Sequence, residues 1–164
     1  MKEGIVIFMG SWLDGVGLIH LLVLLLLPTL FSFSADIVCE RDDLSTLCDL
    51  LDRFDLDDAL DTGTWTLFAP NNEAFGRFQG EASQEILQFH AVGGSGLRED
   101  ELVCNGALTM ANGMNSTTIC DNNDVPNFQR GAGNTVPPPT FLETDIGGCD
   151  ESVVHIMDDV MLFE

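Results

Sequence analysis

Positive charge is what this 164-residue chain has least of: six Lys and Arg residues stand against 27 Asp and Glu, for a formal net charge of −21 at pH 7. A surface this acidic repels phosphates and offers no basic patch from which counterions could be released, which excludes nucleic acid as a partner. The sequence also lacks any Cys-x-x-Cys spacing, so its five cysteines do not suggest a zinc site. No Gly-x-Ser-x-Gly elbow presents a nucleophilic serine. Two acidic clusters, Asp55 to Asp61 and "DNND" at Asp121 to Asp124, raise the question of calcium, but neither fits an EF-hand loop. In the second, Val125 and Pro126 stand where a further ligand and the turn glycine belong. After Phe33 there is no second long apolar run and no hydrophobic tail, so neither a transmembrane stem nor a glycolipid anchor is expected.

The one long apolar run spans Gly15 to Phe33, with "LLVLLLLP" at its centre and small residues, "SFS" followed by Ala35, where a signal peptidase reads. The reading is a secretory signal peptide over residues 1–34 and one domain over residues 35–164, a common domain size. The flank before the run holds Lys2 against Glu3 and Asp14 and so lacks a clear positive charge. A membrane-bound form through an uncleaved signal anchor is the alternative. Removing the segment leaves five Arg and no Lys against 25 acids. Such a surface keeps a protein soluble, and binding of cations or mineral is its second use. A secreted context favours disulfides among Cys39, Cys48, Cys104, Cys120 and Cys149; at most two bridges form within the chain and one cysteine is left over. The single sequon, "NST" at Asn115, fits the same compartment.

The stretch "TWTLFAPNNEAF", Thr64 to Phe75, reads as a strand running into a helix. Trp65, Thr66, Leu67 and Phe68 suit a half-buried pleat. Pro70 has no N–H to donate and keeps Ala69 extended, which ends the ladder. Asn71 or Asn72 then caps a helix whose first turn holds Glu73 and whose inward stripe starts with Phe75 and Phe78. Upstream, Leu44, Leu47, Cys48, Leu51 and Phe54 follow helical spacing behind a cap at Asp42 or Asp43, and "DLDDAL" adds a short helical turn. Downstream, "QEILQFHAV" starts helical and becomes a strand by Phe89. Residues 121–139 have loop composition with a strand hidden near Phe128, and "VVHIMDDVMLF" reads as one or two buried strands bent at Asp158 and Asp159. Helices mainly in the first half, packed on a β-rich second half, give an α+β domain.

"ALTMANGMNSTTIC" reads as a β-hairpin turning at Asn112 and Gly113. With a three-residue loop, Ala111 to Gly113, Met110 opposes Met114, and counting outward sets Cys104 opposite Cys120, the expected disulfide. One face then carries Leu108, Met110, Met114 and the cysteines. The other carries Asn105, Thr109, Asn115 and Thr117, with the sequon toward solvent.

With these pieces in order the chain resembles the fasciclin domain family. Thr66 to Phe75, "TLFAPNNEAF", differs from the family's strand-to-helix motif only at Asn71, where Thr is usual. "FHAVGG", Phe89 to Gly94, is similar to the family's Tyr-His motif with Phe for Tyr and Gly93 for Pro; the chain has no tyrosine at all. "ESVVHIMDDVML", Glu151 to Leu162, is similar to the closing motif. Between Phe78 and Ile86 the chain is shorter than the family usually is. The resemblance marks Thr66, Phe68, Ala69, Pro70, Phe75, Phe89, His90 and His155 as motif residues. It implies a non-catalytic, secreted adhesion or matrix-binding module whose partner is an extracellular protein or glycan, with no cofactor.

His90 and His155 sit among apolar residues, where a core histidine bonded to the backbone is the default and no nucleophile signature accompanies either. Ser152 lies near His155 in sequence but forms no recognisable catalytic set. Phe68, Phe75, Phe78 and Phe89 are core candidates. The alternative function is an acidic secreted protein that binds cations or mineral, with weak, diffuse capture of divalent cations and no specific metal site.

Overall fold

The structure, a computed structural model, describes residues 34–164 apart from Asp61 and residues 148–150. The signal-peptide reading therefore lies outside the described residues but for Ser34, and Cys149 and Asp61 lie outside them too. Three helices open the described chain: α1 (Ser34–Cys39), α2 (Ser45–Arg53) and α3 (Asp57–Leu60). Val38, Leu44, Leu47, Leu51 and Leu60 are all buried on one side of this group, as helical spacing of the apolar residues requires. A disulfide from Cys39 to Cys48, with Cα atoms 5.1 Å apart, ties α1 to α2, a pairing the sequence left open.

The start of α2 departs from the expected cap. Residues Asp42–Leu44 form a 3-10 turn, and neither Asp42 nor Asp43 caps a helix through its side chain. The Asp43 carboxylate is drawn instead to Arg41, 3.0 Å away, which holds it below the ordinary carboxylate range. The cap comes from across the fold. Asn72 Oδ1 accepts the Thr46 N–H at 2.9 Å, while its Nδ2 donates to the Asp42 carbonyl at 2.8 Å and to Ser45 Oγ at 3.0 Å.

Four strands form the central sheet: β1 (Trp65–Pro70), β2 (Ala91–Gly93), β6 (Phe141–Gly147) and β7 (Val153–Met157), in the order β2-β1-β7-β6. β1 runs parallel to β7 and antiparallel to β2. Because successive side chains alternate, β1 and β7 feed two separate cores. Leu67, Ala69, Val154 and Ile156 join the helices, whereas Phe68 and Met157 join Phe89, Met110 and Met161 on the other face. Burial on both faces explains why both strands read as near-continuous apolar runs. Pro70 fits at the end of β1 without loss. By strand alternation its nitrogen points to the same side as that of Phe68, which bonds the His90 carbonyl, and β2 does not reach that far.

A second sheet, order β3-β4-β5, is built from β3 (Ala107–Thr109), β4 (Asn115–Cys120) and β5 (Pro126–Arg130). Ala107 pairs with Thr117, Leu108 with Ser116 and Thr109 with Asn115. That register follows from a three-residue loop closed by Met110 N–H to the Met114 carbonyl, with Gly113 at φ 82°, where a Cβ would be strained. Cys104 and Cys120 are bridged, Cα atoms 5.4 Å apart. The inward side of β4 carries Ser116 and Thr118, which share a buried network with Gln129: Gln129 Nε2 donates to Ser116 Oγ at 2.6 Å and Thr118 Oγ1 donates to Gln129 Oε1 at 2.8 Å. Met114, expected on the inward face, is 40% exposed, whereas Met110 opposite it is buried. Replacing Cys104 and Cys120 together with serine should cost about 3 kcal/mol, the entropy returned to the unfolded chain when a loop of this size opens. The urea midpoint of the double variant against the parent measures it.

Two elements differ from expectation. Phe89 caps α5 (Gln84–Gln88) and His90 lies in the following turn, since their N–H groups still bond the Glu85 and Leu87 carbonyls; the strand begins only at Ala91. β6 went unread in the sequence because two register irregularities and Asp145 at φ 59° break its alternation. Among the described residues no helix is long and apolar enough to cross a membrane.

Candidate functional site

The motif residues converge, but inside the fold. Thr66, Phe68, Ala69, Phe89, His90 and His155 are at most 1% exposed, Pro70 is buried, and Phe75 is partly buried against the helical core. Asn71, the first residue after β1, caps α4 (Asn72–Arg77) by accepting the Ala74 N–H at 2.8 Å. Thr66 Oγ1 donates to the Ser95 carbonyl and accepts the Leu97 N–H, both at 2.8 Å, and so pins the segment after β2. Phe68 stacks on His155 at 5.5 Å and on Phe141 at 6.0 Å.

Each histidine is a neutral staple. His90 Nε2 accepts the Met161 N–H at 2.8 Å, so its proton is on Nδ1 and is donated to the Ile86 carbonyl at 2.8 Å. His155 has the opposite tautomer: Nδ1 accepts the Asp145 N–H at 3.4 Å, and Nε2 donates to the Leu97 carbonyl at 2.8 Å. Burial pushes the His90 pKa down to about 4 against a smaller opposing effect of its bond to Ile86. Burial lowers that of His155 as well, opposed by the bond to Leu97 and by the Asp145 charge. Ser152 is equally buried, and its Oγ accepts the Trp65 N–H at 3.0 Å. With both nitrogens of His155 bonded to backbone groups, that imidazole has no ring nitrogen left to take a proton from Ser152.

The polar residues at the surface behave differently. Asp55 and Asp58 are exposed and Asp57 half-buried. Asp121 uses its carboxylate to organise a turn, accepting the N–H of Asn123 at 2.8 Å and of Val125 at 3.1 Å, bonds that hold its pKa low. Residues 121–125 are exposed, whereas Pro126, Gln129 and Pro139 in the same stretch are buried. Among the described residues no three His, Cys, Asp or Glu side chains are gathered to hold a metal. Asn115 is exposed on β4, with Oδ1 accepting from Thr109 Oγ1 at 3.1 Å.

Two positioning residues escaped the sequence reading. Asn72 caps α2 as described, and Asn134 ties the chain end to the loop after β5. Its Oδ1 accepts the N–H groups of Gly131 and Leu162 at 3.0 and 2.9 Å, and its Nδ2 donates to the Val160 carbonyl at 2.8 Å. The bonds by which they reach α2 and the segment Val160 to Leu162 span 26 residues or more, so no local pattern marks those partners.

A family profile described as Fasciclin domain matches residues 42–163. Among solved structures the chain is similar to a FAS1 domain pair from the insect cell adhesion molecule fasciclin I. The match has 20% identity and a TM-score of 0.57, and covers 74% of this chain and 46% of that one. The chain thus spans just under half of that neighbour's length, and a likeness at this identity speaks for the fold. No curated protein matches the chain.

Proposed function

The chain belongs to the fasciclin domain family, and we propose that it is a secreted, non-catalytic adhesion or matrix-binding module that meets an extracellular protein or glycan through exposed acidic and turn residues. One observation carries this reading: the motif groups with any catalytic potential, His90, His155 and Ser152, are buried and bonded to backbone groups. Nothing that reacts in them reaches solvent, whereas the acids of the Asp55 to Asp58 segment do. The family's adhesive character supports the same conclusion. The glycan expected at Asn115 would stand on the solvent side of the second sheet, away from the buried Ser116 and Thr118.

The test is charge reversal. Asp57→Lys together with Asp58→Lys removes two acids from the first turn of the short helix α3 and should cost only about 1 kcal/mol, which lowers the melting temperature by about 5 °C and leaves the domain folded. Adhesion to extracellular matrix laid on a plate should fall, and the difference from the parent should shrink as salt rises and screens the surface charge. Unchanged adhesion at low salt would count against an acidic binding surface. Mass spectrometry of the protein recovered from the medium tests the secretory part: a mature N-terminus near Ala35 is expected, and an intact N-terminus in the membrane fraction would contradict it.

A further inference from the structure

A groove runs beside the two outer motifs, walled by side chains that the buried staples do not use. Glu73 and Arg77 on α4, Pro138, Leu142 on β6, and Asp158 and Asp159 surround a cavity of about 450 Å³. A second cavity, about 380 Å³, adjoins the first at Arg77, Pro137 and Asp159 and is lined further by Phe78 and Leu162. The volume suits a ligand side chain with neighbours more than a lone ion. Leu142 in its wall is 56% exposed, and Val136, next to Pro137, is 88% exposed. These are two of five large apolar side chains left exposed among the described residues. An exposed leucine in a charged wall offers an incoming segment an apolar contact beside the acidic residues.

The charge in the groove selects the occupant. Three acidic residues, Glu73, Asp158 and Asp159, line it against a single arginine, Arg77. Arg77 is already engaged: it donates to the Asp158 carbonyl oxygen and lies 3.8 Å from Glu73. The aspartates are fixed in direction, since Asp158 Oδ1 accepts the Thr140 N–H at 2.6 Å and Asp159 Oδ1 accepts the Val160 N–H at 2.9 Å. Preset carboxylates match the planar fork of arginine. Pro137 and Pro138 in the lining have no N–H to donate, so that part of the groove meets an incoming chain through side chains. A second copy of this chain, itself at −21, is repelled from such a site.

We propose that this groove docks an extended, arginine-bearing segment of a partner protein, with the guanidinium held by Glu73 and the Asp158–Asp159 pair and an adjacent apolar side chain set against Leu142 and Pro138. The proposal rests on the reading of the chain as a binding module and names the surface and the partner's chemistry. It is tested on the secreted full chain by fluorescence anisotropy in about 0.15 M salt, where general charge attraction is screened beyond about 8 Å. The probe is a labelled eight-residue peptide alternating Leu and Arg, with a Leu and Glu peptide as control. Glu73→Lys is expected to weaken binding at least about tenfold and Leu142→Ser about fivefold. Asp100→Lys, the same charge change at an exposed position outside the groove, should change it less than about twofold. Equal effects of Glu73→Lys and Asp100→Lys, no effect of Leu142→Ser, or comparable binding of the Glu peptide would each overturn the proposal. So would self-association in sedimentation that Leu142→Ser abolishes, since a second copy would then be the occupant. If the peptide fails while matrix adhesion persists, the groove assignment falls and the binding-module reading stands. If the peptide binds as stated but adhesion is absent, the reverse holds.

Discussion

Replacing His90 with alanine should destabilise the domain by about 4 kcal/mol and lower its melting temperature by roughly 15 °C. The imidazole is 1% exposed and sits where α5 turns into β2, beneath the chain's last buried segment. Its removal leaves a ring-sized cavity, for which large-to-small core changes set a cost of about 3–5 kcal/mol. It also strands the Met161 N–H and the Ile86 carbonyl, whose bonds to the ring are both 2.8 Å. Each buried group left without a partner costs a further ~1–3 kcal/mol unless water enters, and partial collapse of the site brings the total back toward the middle of this range. Thermal unfolding followed by circular dichroism measures the loss. A shift under about 3 °C would show that the ring is not a staple.

Acid should weaken the fold through the same residue. Unfolded, a histidine titrates near its ordinary value of 6.5; folded, His90 titrates at about 4. Between those values the unfolded chain binds more protons than the folded one, so stability rises with pH across the window. The contribution is complete above about 6.5 and is lost as pH falls toward 4, for a total of about 3 kcal/mol. His155 is shifted in the same direction and adds to the slope. Asp43 and Asp121, whose hydrogen bonds hold them below the ordinary carboxylate range, lose their contribution in the same direction but at lower pH, whereas relief of acidic self-repulsion on protonation acts the other way. Urea midpoints should therefore fall between pH 7 and pH 5, and His90→Ala should flatten much of that slope. A parent protein as stable at pH 5 as at pH 7 would contradict the buried, neutral imidazole.

What the sequence made legible was what local chemistry controls. The Trp65–Pro70 strand, the Asn71 cap and the hairpin around Gly113 follow from β-propensity, a missing N–H, a side-chain acceptor and a positive φ, each set within a few residues. The three motifs, ordered along the chain, pointed to the α+β fold as a whole. Less was legible where partners are distant. Asp42 and Asp43 looked like the cap of α2, yet Asn72 does that work, and nothing in "NNEAF" says that its two asparagines serve different helices. The same limit hid Asn134 within turn-like composition. β6 was missed because bulges erase the period-two signal on which strand reading depends. His90 was placed on a strand since apolar neighbours look alike in a turn and a ladder. Its helix-bonded N–H decides between them, and only the fold shows that bond. The groove along Glu73, Leu142 and Asp159 joins residues from three separate stretches, so its composition was invisible until the chain was folded.

The most direct measurement pairs stability with adhesion in two variants of the chain, His90→Ala and the Asp57→Lys, Asp58→Lys double change, each assayed on extracellular matrix at a temperature where its folded fraction is known. If the motif residues act by holding the fold, His90→Ala loses adhesion only in proportion to its unfolded fraction, while the charge-reversed protein stays folded and adheres less at low salt. If His90→Ala keeps the parent's melting temperature and yet no longer adheres, the histidine is itself a contact, and the buried-staple account of the motif is wrong.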